Sequence, residues 1–252
     1  MSRLVRGLAC ALVVALVAAP GPAAAARFPV GVTTMTFTKT SVTTGAPRAL
    51  ETVIWYPAER RTGTAEAFGL REAKARRGRF PLIVFSHGSC GLPTEATYLT
   101  MALAREGFVV AAPPHPGNTA NEAPACLFQA AFVDSAVNRE PDVVFVIDSM
   151  LAESTRAGSR FARRLRPEAI GVSGLSFGGF TTLLTALLEP RVVAALALVP
   201  SGTSALGTTD ITIPTMVIGS ERTRSSASPN RSRPTPSSRV RGSWSSCWPR
   251  TT

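Results

Sequence analysis

Histidine and cysteine are scarce in this 252-residue sequence, which contains two histidines, His87 and His115, and four cysteines. No group of cysteines and histidines has the spacing of a zinc site. Nucleotide-binding and haem-binding motifs are also missing. We therefore predict that the protein binds no metal and needs no cofactor.

Acidic residues are absent from residues 1–26, which begin with a short basic leader and continue into the apolar run Leu8–Val17. The small residues that follow are typical of a secretory signal peptide. The alternative, a membrane anchor, is disfavoured because a bilayer needs roughly 20 apolar residues. We predict a secreted or periplasmic protein, in which Cys90 and Cys126 form a disulfide or remain two thiols. The sequence leaves both options open.

Acidic residues are absent again after Glu221, where residues 222–252 contain seven arginines, nine serines and four prolines. The net charge of +11 is concentrated there, and residues 27–221 carry only +2. A nucleic-acid site needs basic charge on a folded face, so we predict no nucleic-acid partner. The basic run within the domain, residues 71–79, is predicted to be a solvated loop between strands.

The composition of residues 222–252 predicts a disordered tail, because it offers too little apolar surface to form a core. The change at Arg222 is abrupt and resembles sequence read in a shifted frame, which we treat as a hypothesis. We thus divide the chain into a signal peptide (1–26), one folded domain (27–221) and a basic tail (222–252).

Within the domain, short strand and helix patterns alternate. Val30–Lys39 and Arg48–Tyr56 predict an antiparallel pair at a sheet edge. Leu82–Phe85 and Phe108–Ala112 are continuous apolar runs, typical of strands covered on both faces. Helices are predicted over Thr94–Glu106, from an N-terminal cap at Asn138, and over Phe177–Leu188; further strands over Ala169–Ser173, Val192–Val199 and Ile213–Ile218. The fold class is therefore α/β, with a mostly parallel sheet and helices on both faces.

Residues 174–178 read Gly-Leu-Ser-Phe-Gly and lie between a predicted strand and a predicted helix. This is the G-x-S-x-G pattern of a nucleophile elbow, in which Ser176 is the candidate nucleophile. Gly174 and Gly178 fit because strand and helix meet too closely there for side chains. The competing interpretation is an ordinary glycine-rich turn.

An oxyanion hole needs backbone N–H groups aimed at the oxygen on which charge develops. One candidate is Phe177, directly after the nucleophile, and the other is Ser89, in the loop after an earlier strand. His87 lies in that same loop. We do not assign it as the catalytic base, because the loop lies on the wrong side of the serine.

Several segments resemble bacterial α/β-hydrolases related to platelet-activating-factor acetylhydrolase, with dienelactone-hydrolase-like and cutinase-like polyester hydrolases as near relatives. The similar segments are Ile54–Pro57, Phe80–Gly88, Ala112–Thr119, Asn138–Val143 and the elbow. The resemblance implies a serine esterase or lipase without a cofactor, acting on short-acyl esters that are small molecules or lipids. It also implies structural roles for His115 and Asn118. Transient contact with a membrane surface is expected separately, from the basic tail.

The triad acid and histidine are not identified. The resemblance places the acid at Thr223, and no Asp, Glu or His follows; the C-terminal strand and helix of the fold are also expected to be missing. One hypothesis is an esterase impaired by an aberrant C-terminus. A second uses Glu221 as acid and His115 as base. A third is a catalytically inactive hydrolase-fold binding protein, and a polyester hydrolase is the alternative enzyme.

Overall fold

Strands and helices alternate in the computed structural model, which describes residues 27–203, 206 and 210–219. The strands in this part are β1 (Val30–Thr40), β2 (Pro47–Pro57), β3 (Thr64–Glu66), β4 (Gly69–Arg71), β5 (Phe80–Ser86), β6 (Val109–Ala112), β7 (Leu165–Leu175), β8 (Val192–Leu198) and β9 (Thr215–Ile218). The α-helices are α1 (Thr97–Arg105), α2 (Gln129–Thr155) and α3 (Phe177–Leu188). The predicted signal peptide and basic tail lie outside the described residues.

One sheet contains all of these strands, in the order β3-β4-β1-β2-β6-β5-β7-β8-β9. The strands from β6 to β9 are mutually parallel, whereas β1 pairs with β2, and β2 with β6, in the antiparallel sense. The antiparallel pair is thus confirmed, but its position at the edge of the sheet is wrong. Residues 31 and 32 of β1 pair with β4, so β3 and β4 extend the sheet beyond the pair.

The core lies on both faces of the sheet, as the continuous apolar runs predict. Every residue of β5 and β6 is buried. On one face α2 packs Val146, Ile147 and Met150 against the strands, and α3 lies on the same face over β7 and β8. On the other face α1 covers Trp55 and Phe85. The mostly parallel α/β architecture with helices on both faces is therefore confirmed.

Helix α2 differs most from expectation, because Asn138 does not cap it. The helix begins at Gln129 and continues through Pro141, so Asn138 lies in its third turn. The Asn138 amide instead donates to the Asp134 carbonyl at 3.0 Å and accepts the Val42 N–H at 3.0 Å. An asparagine followed by a nearby proline is typical of a helix start, but here burial of the helix face outweighs that local preference.

Candidate active site

Ser176 lies in the turn between β7 and α3, at the carboxyl end of the strand, and is half-buried. Its φ of 55° and ψ of −113° are unusual for a residue other than glycine and cost about 1–3 kcal/mol. The Ser176 N–H donates to the Leu198 carbonyl at 2.8 Å. The Ser176 carbonyl accepts from the N–H groups of Phe180 and Ser201. These hydrogen bonds hold the strained backbone in place.

The two glycines of the turn are required by close backbone packing. A Cβ atom at Gly174 would lie 2.3 Å from the Gly178 carbonyl oxygen. At Gly178 it would lie 1.9 Å from the Ser86 carbonyl oxygen and 2.7 Å from that of His87. Because the obstructing atoms belong to the backbone, no side-chain rotation relieves the contact. The elbow therefore packs directly on the loop that follows β5.

The loop after β5 is held from both sides at Gly88. Its N–H donates to the Glu95 carboxylate, and its carbonyl accepts from Arg139 Nη2 at 3.1 Å. The two ends of a trans peptide unit point in opposite directions, so the Ser89 N–H is directed away from Arg139. Since Glu95 already occupies the Gly88 N–H, Ser89 is the better candidate to donate to an oxyanion.

Phe177 offers the second N–H group. It is the first residue of α3, and the first N–H groups of a helix have no acceptor within the helix. The helix dipole adds a partial positive charge at the same end. Phe177 directly follows Ser176 in the chain, and Gly88, next to Ser89, lies against the elbow, where a Cβ atom would be 3.5 Å from the Leu175 carbonyl oxygen.

His87 uses both of its ring nitrogens in the interior. Nδ1 lies 2.7 Å from the Gly88 carbonyl oxygen, to which it donates, and Nε2 accepts the His115 N–H at 3.0 Å. Burial, with the positive charge of Arg139 nearby, holds the pKa of His87 well below its ordinary value. The ring is neutral and has no nitrogen left to accept a proton from Ser176.

His115 forms a second serine–histidine–aspartate series, which the sequence did not reveal. Its Nε2 lies 2.9 Å from Ser86 Oγ, and its Nδ1 lies 3.1 Å from Asp142 Oδ2. The connectivity matches a catalytic triad, but His115 and Asp142 are fully buried and Ser86 is 1% exposed. Ser86 Oγ also accepts from Arg139 Nη1 at 3.1 Å. A substrate cannot reach this serine, so the series is structural.

The same burial keeps His115 from serving Ser176. Desolvation lowers the pKa of His115 well below its ordinary value, and the charges of Arg139, Arg48 and Lys39 act in the same direction. Moving the ring would break its hydrogen bonds to Ser86 and Asp142. The hypothesis that His115 swings into the base position therefore has no support in this geometry.

Asp142 is the anionic centre of the buried network. Arg48 donates to both of its carboxylate oxygens, with Nη2 at 2.9 Å, and Lys39 Nζ lies 3.3 Å away. The pKa of Asp142 is raised overall, because the effect of burial outweighs the hydrogen bonds and charges of Arg48 and Lys39, which lower it. Two cations from β1 and β2 thereby compensate a carboxylate that α2 brings into the core.

Arg139 connects this network to the loop after β5. Its guanidinium donates to the carbonyls of His87 and Gly88 and to Asn118 Oδ1 at 2.9 Å. The guanidinium carbon also lies 4.4 Å from the centre of the Phe177 ring. Burial lowers the pKa of Arg139 to about 9, which leaves it charged at neutral pH.

A disulfide between Cys90 and Cys126 anchors the far side of the loop after β5, with the two Cα atoms 5.6 Å apart. The structure thus decides between the two options that the sequence left open. Asn118 reinforces the same link, because its amide donates to Ser89 Oγ at 3.2 Å and to the Cys126 carbonyl at 3.0 Å. Its expected structural role fits these contacts.

Sequence reasoning missed the buried network of Arg48, Arg139 and Asp142, of which Arg139 alone reaches the loop after β5. The segment Asn138–Val143 belonged to the resemblance, and that was the available signal. Its residues were interpreted as a helix start, whereas α2 turns Arg139 and Asp142 into the core.

Glu221 and Thr223, the positions considered for the triad acid, lie outside the described residues. Within the described ranges, no cluster of three or more metal-ligating side chains occurs. No helix in the same ranges has the length and apolar content needed to cross a bilayer.

Residues 62–142 match the family model of platelet-activating factor acetylhydrolase, isoform II. A ferulic acid esterase from Streptomyces cinnamoneus has a similar structure, with a TM-score of 0.60 and 22% sequence identity over 79% of this chain and 67% of that chain. No curated protein matches the chain.

The parallel sheet, the strand-to-helix turn at Ser176 and the structural match define an α/β-hydrolase fold. In sequence, residues 62–142 are similar to platelet-activating factor acetylhydrolase, isoform II. That segment contains the loop after β5 and the buried residues His115, Arg139 and Asp142, but not Lys39, Arg48 or Ser176.

Proposed function

We propose that the protein is a serine carboxylic-ester hydrolase in which Ser176 is the nucleophile. The strained backbone of Ser176, fixed at the tip of a strand-to-helix turn, supports this proposal most strongly. The relation to an acetylhydrolase family and the structural match to an esterase agree with it.

In the proposed reaction, Ser176 Oγ attacks the ester carbonyl carbon and the carbonyl oxygen becomes an oxyanion. The N–H groups of Ser89 and Phe177 stabilise that charge. The carbonyl then re-forms, the alcohol leaves with a proton, and an acyl-serine remains. Water attacks the acyl-serine in the second half of the reaction and releases the carboxylic acid.

The lack of a base that could accept the Ser176 proton limits the rate of this reaction. Serine is a weak nucleophile unless a base accepts its proton, and both histidines of the sequence are occupied in the interior. We therefore propose that turnover is impaired. An oxyanion hole and substrate binding alone retain roughly 10³–10⁴-fold acceleration over water in enzymes that have lost their triad.

The proposed substrates are short-acyl esters, including lipid-derived acetyl esters, and the protein is proposed to act after export. Apolar side chains at and just before the start of α2 suit transient contact with a lipid surface, since Leu127 and Phe128 are 72% and 63% exposed. Phe132, on the next turn, stacks on Phe177 with ring centres 4.7 Å apart. A polyester is the alternative substrate.

Exogenous imidazole tests the proposal, because it can replace a missing histidine base. We expect hydrolysis of para-nitrophenyl acetate by the full chain to rise with imidazole concentration, by less than the roughly 100-fold that a positioned general base contributes. The Ser176→Ala variant measures the reaction of imidazole with the ester itself.

If the full chain and Ser176→Ala hydrolyse the ester at the same rate at every imidazole concentration, Ser176 is not a nucleophile. That result favours the second candidate function, a catalytically inactive hydrolase-fold binding protein, which the occupied histidines already suggest. A high Ser176-dependent rate without imidazole contradicts the proposed impairment instead.

A further inference from the structure

One buried side chain contacts both the Gly88–Ser89 peptide unit and Phe177, which carry the two donors of the proposed oxyanion hole. Arg139 is 1% exposed, yet its guanidinium reaches the peptide carbonyl that precedes the Ser89 N–H and the ring of Phe177. We infer that Arg139 is a positioning residue that aligns the two donors of the oxyanion hole. This inference rests on the proposed function.

On the loop side, Arg139 fixes the orientation of two successive peptide units. Nη1 donates to the His87 carbonyl at 2.7 Å, and Nη2 donates to the Gly88 carbonyl at 3.1 Å. Rotation of the Gly88–Ser89 peptide would turn the Ser89 N–H away from the oxyanion and would break the second bond. The guanidinium therefore restricts the motion that would misalign this donor.

On the helix side, Arg139 lies over the Phe177 ring at 4.4 Å from its centre, with Phe132 stacked on the same residue. A cation above an aromatic ring attracts it most strongly where water is excluded. Phe177 supplies its own backbone N–H to the hole, so holding the ring also holds the first residue of α3.

Arginine suits this position better than lysine because its planar head donates in several directions at once. Nη1 donates to Ser86 Oγ and the His87 carbonyl, and Nη2 donates to the Gly88 carbonyl and Asn118 Oδ1, while the guanidinium carbon lies over the Phe177 ring. A lysine would preserve the charge but has a single nitrogen for these acceptors. The Arg139→Lys substitution therefore separates the effect of the positive charge from the effect of aligning the two donors.

The chain offers a matched control at the other end of the network. Arg48 is also buried, at 6% exposure, and donates to Asp142 through two nitrogens. Among the described residues its side chain pairs with Asp142 and Asp134 and forms no hydrogen bond with residues 87–89. Arg139→Lys and Arg48→Lys thus make the same chemical change in one network, and only the first change touches the oxyanion loop.

The experiment measures Ser176-dependent hydrolysis of para-nitrophenyl acetate in saturating imidazole, with kcat and KM determined separately. For Arg139→Lys we expect kcat to fall by about 100-fold, as when one oxyanion donor is lost, with little change in KM. For Arg48→Lys we expect a loss of thermal stability with kcat preserved. An equal fall in kcat for both variants, compared at equal folded fraction, would overturn the inference.

Two further measurements keep the outcome decisive. If Arg139→Lys does not fold, Phe177→Leu keeps the backbone N–H and removes only the ring; an unchanged kcat in that variant overturns the inference. If the unmodified chain shows no Ser176-dependent hydrolysis, the proposed function fails. The amide NMR shifts of Gly88, Ser89 and Phe177 then test whether Arg139 positions these backbone N–H groups. They should move in Arg139→Lys and not in Arg48→Lys, and shifts that stay unchanged in both variants overturn the inference.

Discussion

Gly178→Ala is the substitution for which the structure predicts the largest local effect. The new Cβ would lie 1.9 Å from the Ser86 carbonyl oxygen and 2.7 Å from that of His87. Real Cβ atoms essentially never come within 3.0 Å of a non-bonded heavy atom, and both obstructing atoms here belong to the backbone. The loop after β5 and the start of α3 must therefore move apart by about 1 Å.

The expected cost is large for the addition of one methyl group. Overpacking a core costs typically about 1–3 kcal/mol, and this site lies at the upper end because no side chain can rotate away. For a domain of this size, each kcal/mol shifts the melting temperature by about 2–4 °C. We therefore expect the melting temperature of Gly178→Ala to fall by about 6–12 °C.

Thermal unfolding followed by circular dichroism measures this shift, and Gly219→Ala is the control. A Cβ at Gly219 would meet no atom of the described residues within 4 Å, so the melting temperature of Gly219→Ala should remain close to that of the unmodified chain. A shift below about 2 °C for Gly178→Ala would refute the close approach of the elbow to the β5 loop. Ser176-dependent hydrolysis should also fall, because the same displacement moves the oxyanion loop.

Two further predictions concern the disulfide and the histidines. Replacing Cys90 and Cys126 by serine should lower the free energy of unfolding by about 3–4 kcal/mol, because the bridge closes a loop with a sequence separation of 36; Cys247→Ser is the control, and equal urea midpoints for the two would contradict the bridge. His87 and His115 have lowered pKa values in the folded state, so the unfolded chain takes up protons first and stability falls as pH drops below about 6.5. The slope should reach about 1.4 kcal/mol per pH unit for each histidine, and urea midpoints that do not change between pH 7.5 and 5.5 would show that the rings are accessible.

Local patterns predicted the parts of the site that depend on local geometry. The strand, the turn and the helix around Ser176 follow one another directly in the chain, and α3 has the bounds that the sequence predicted. The loop at Ser89 was also predicted, because it follows directly after an apolar strand. Asn138 shows the limit of this approach, since a residue that favours a helix start lies inside α2.

The sequence by itself determined the α/β alternation, the elbow and the shortage of histidine, because each is a property of neighbouring residues or of composition. Tertiary structure alone decided that His115 is hydrogen-bonded to Ser86 and Asp142, and that Arg139 donates to the carbonyls of the loop after β5. Arg48 and Asp142 are 94 residues apart in the chain, and Arg139 and Gly88 are 51 apart. Such pairs form only when the sheet and helices have packed, because packing decides which face of each helix is buried. A buried charge is costly unless it is paired, and its partner can come from any part of the chain.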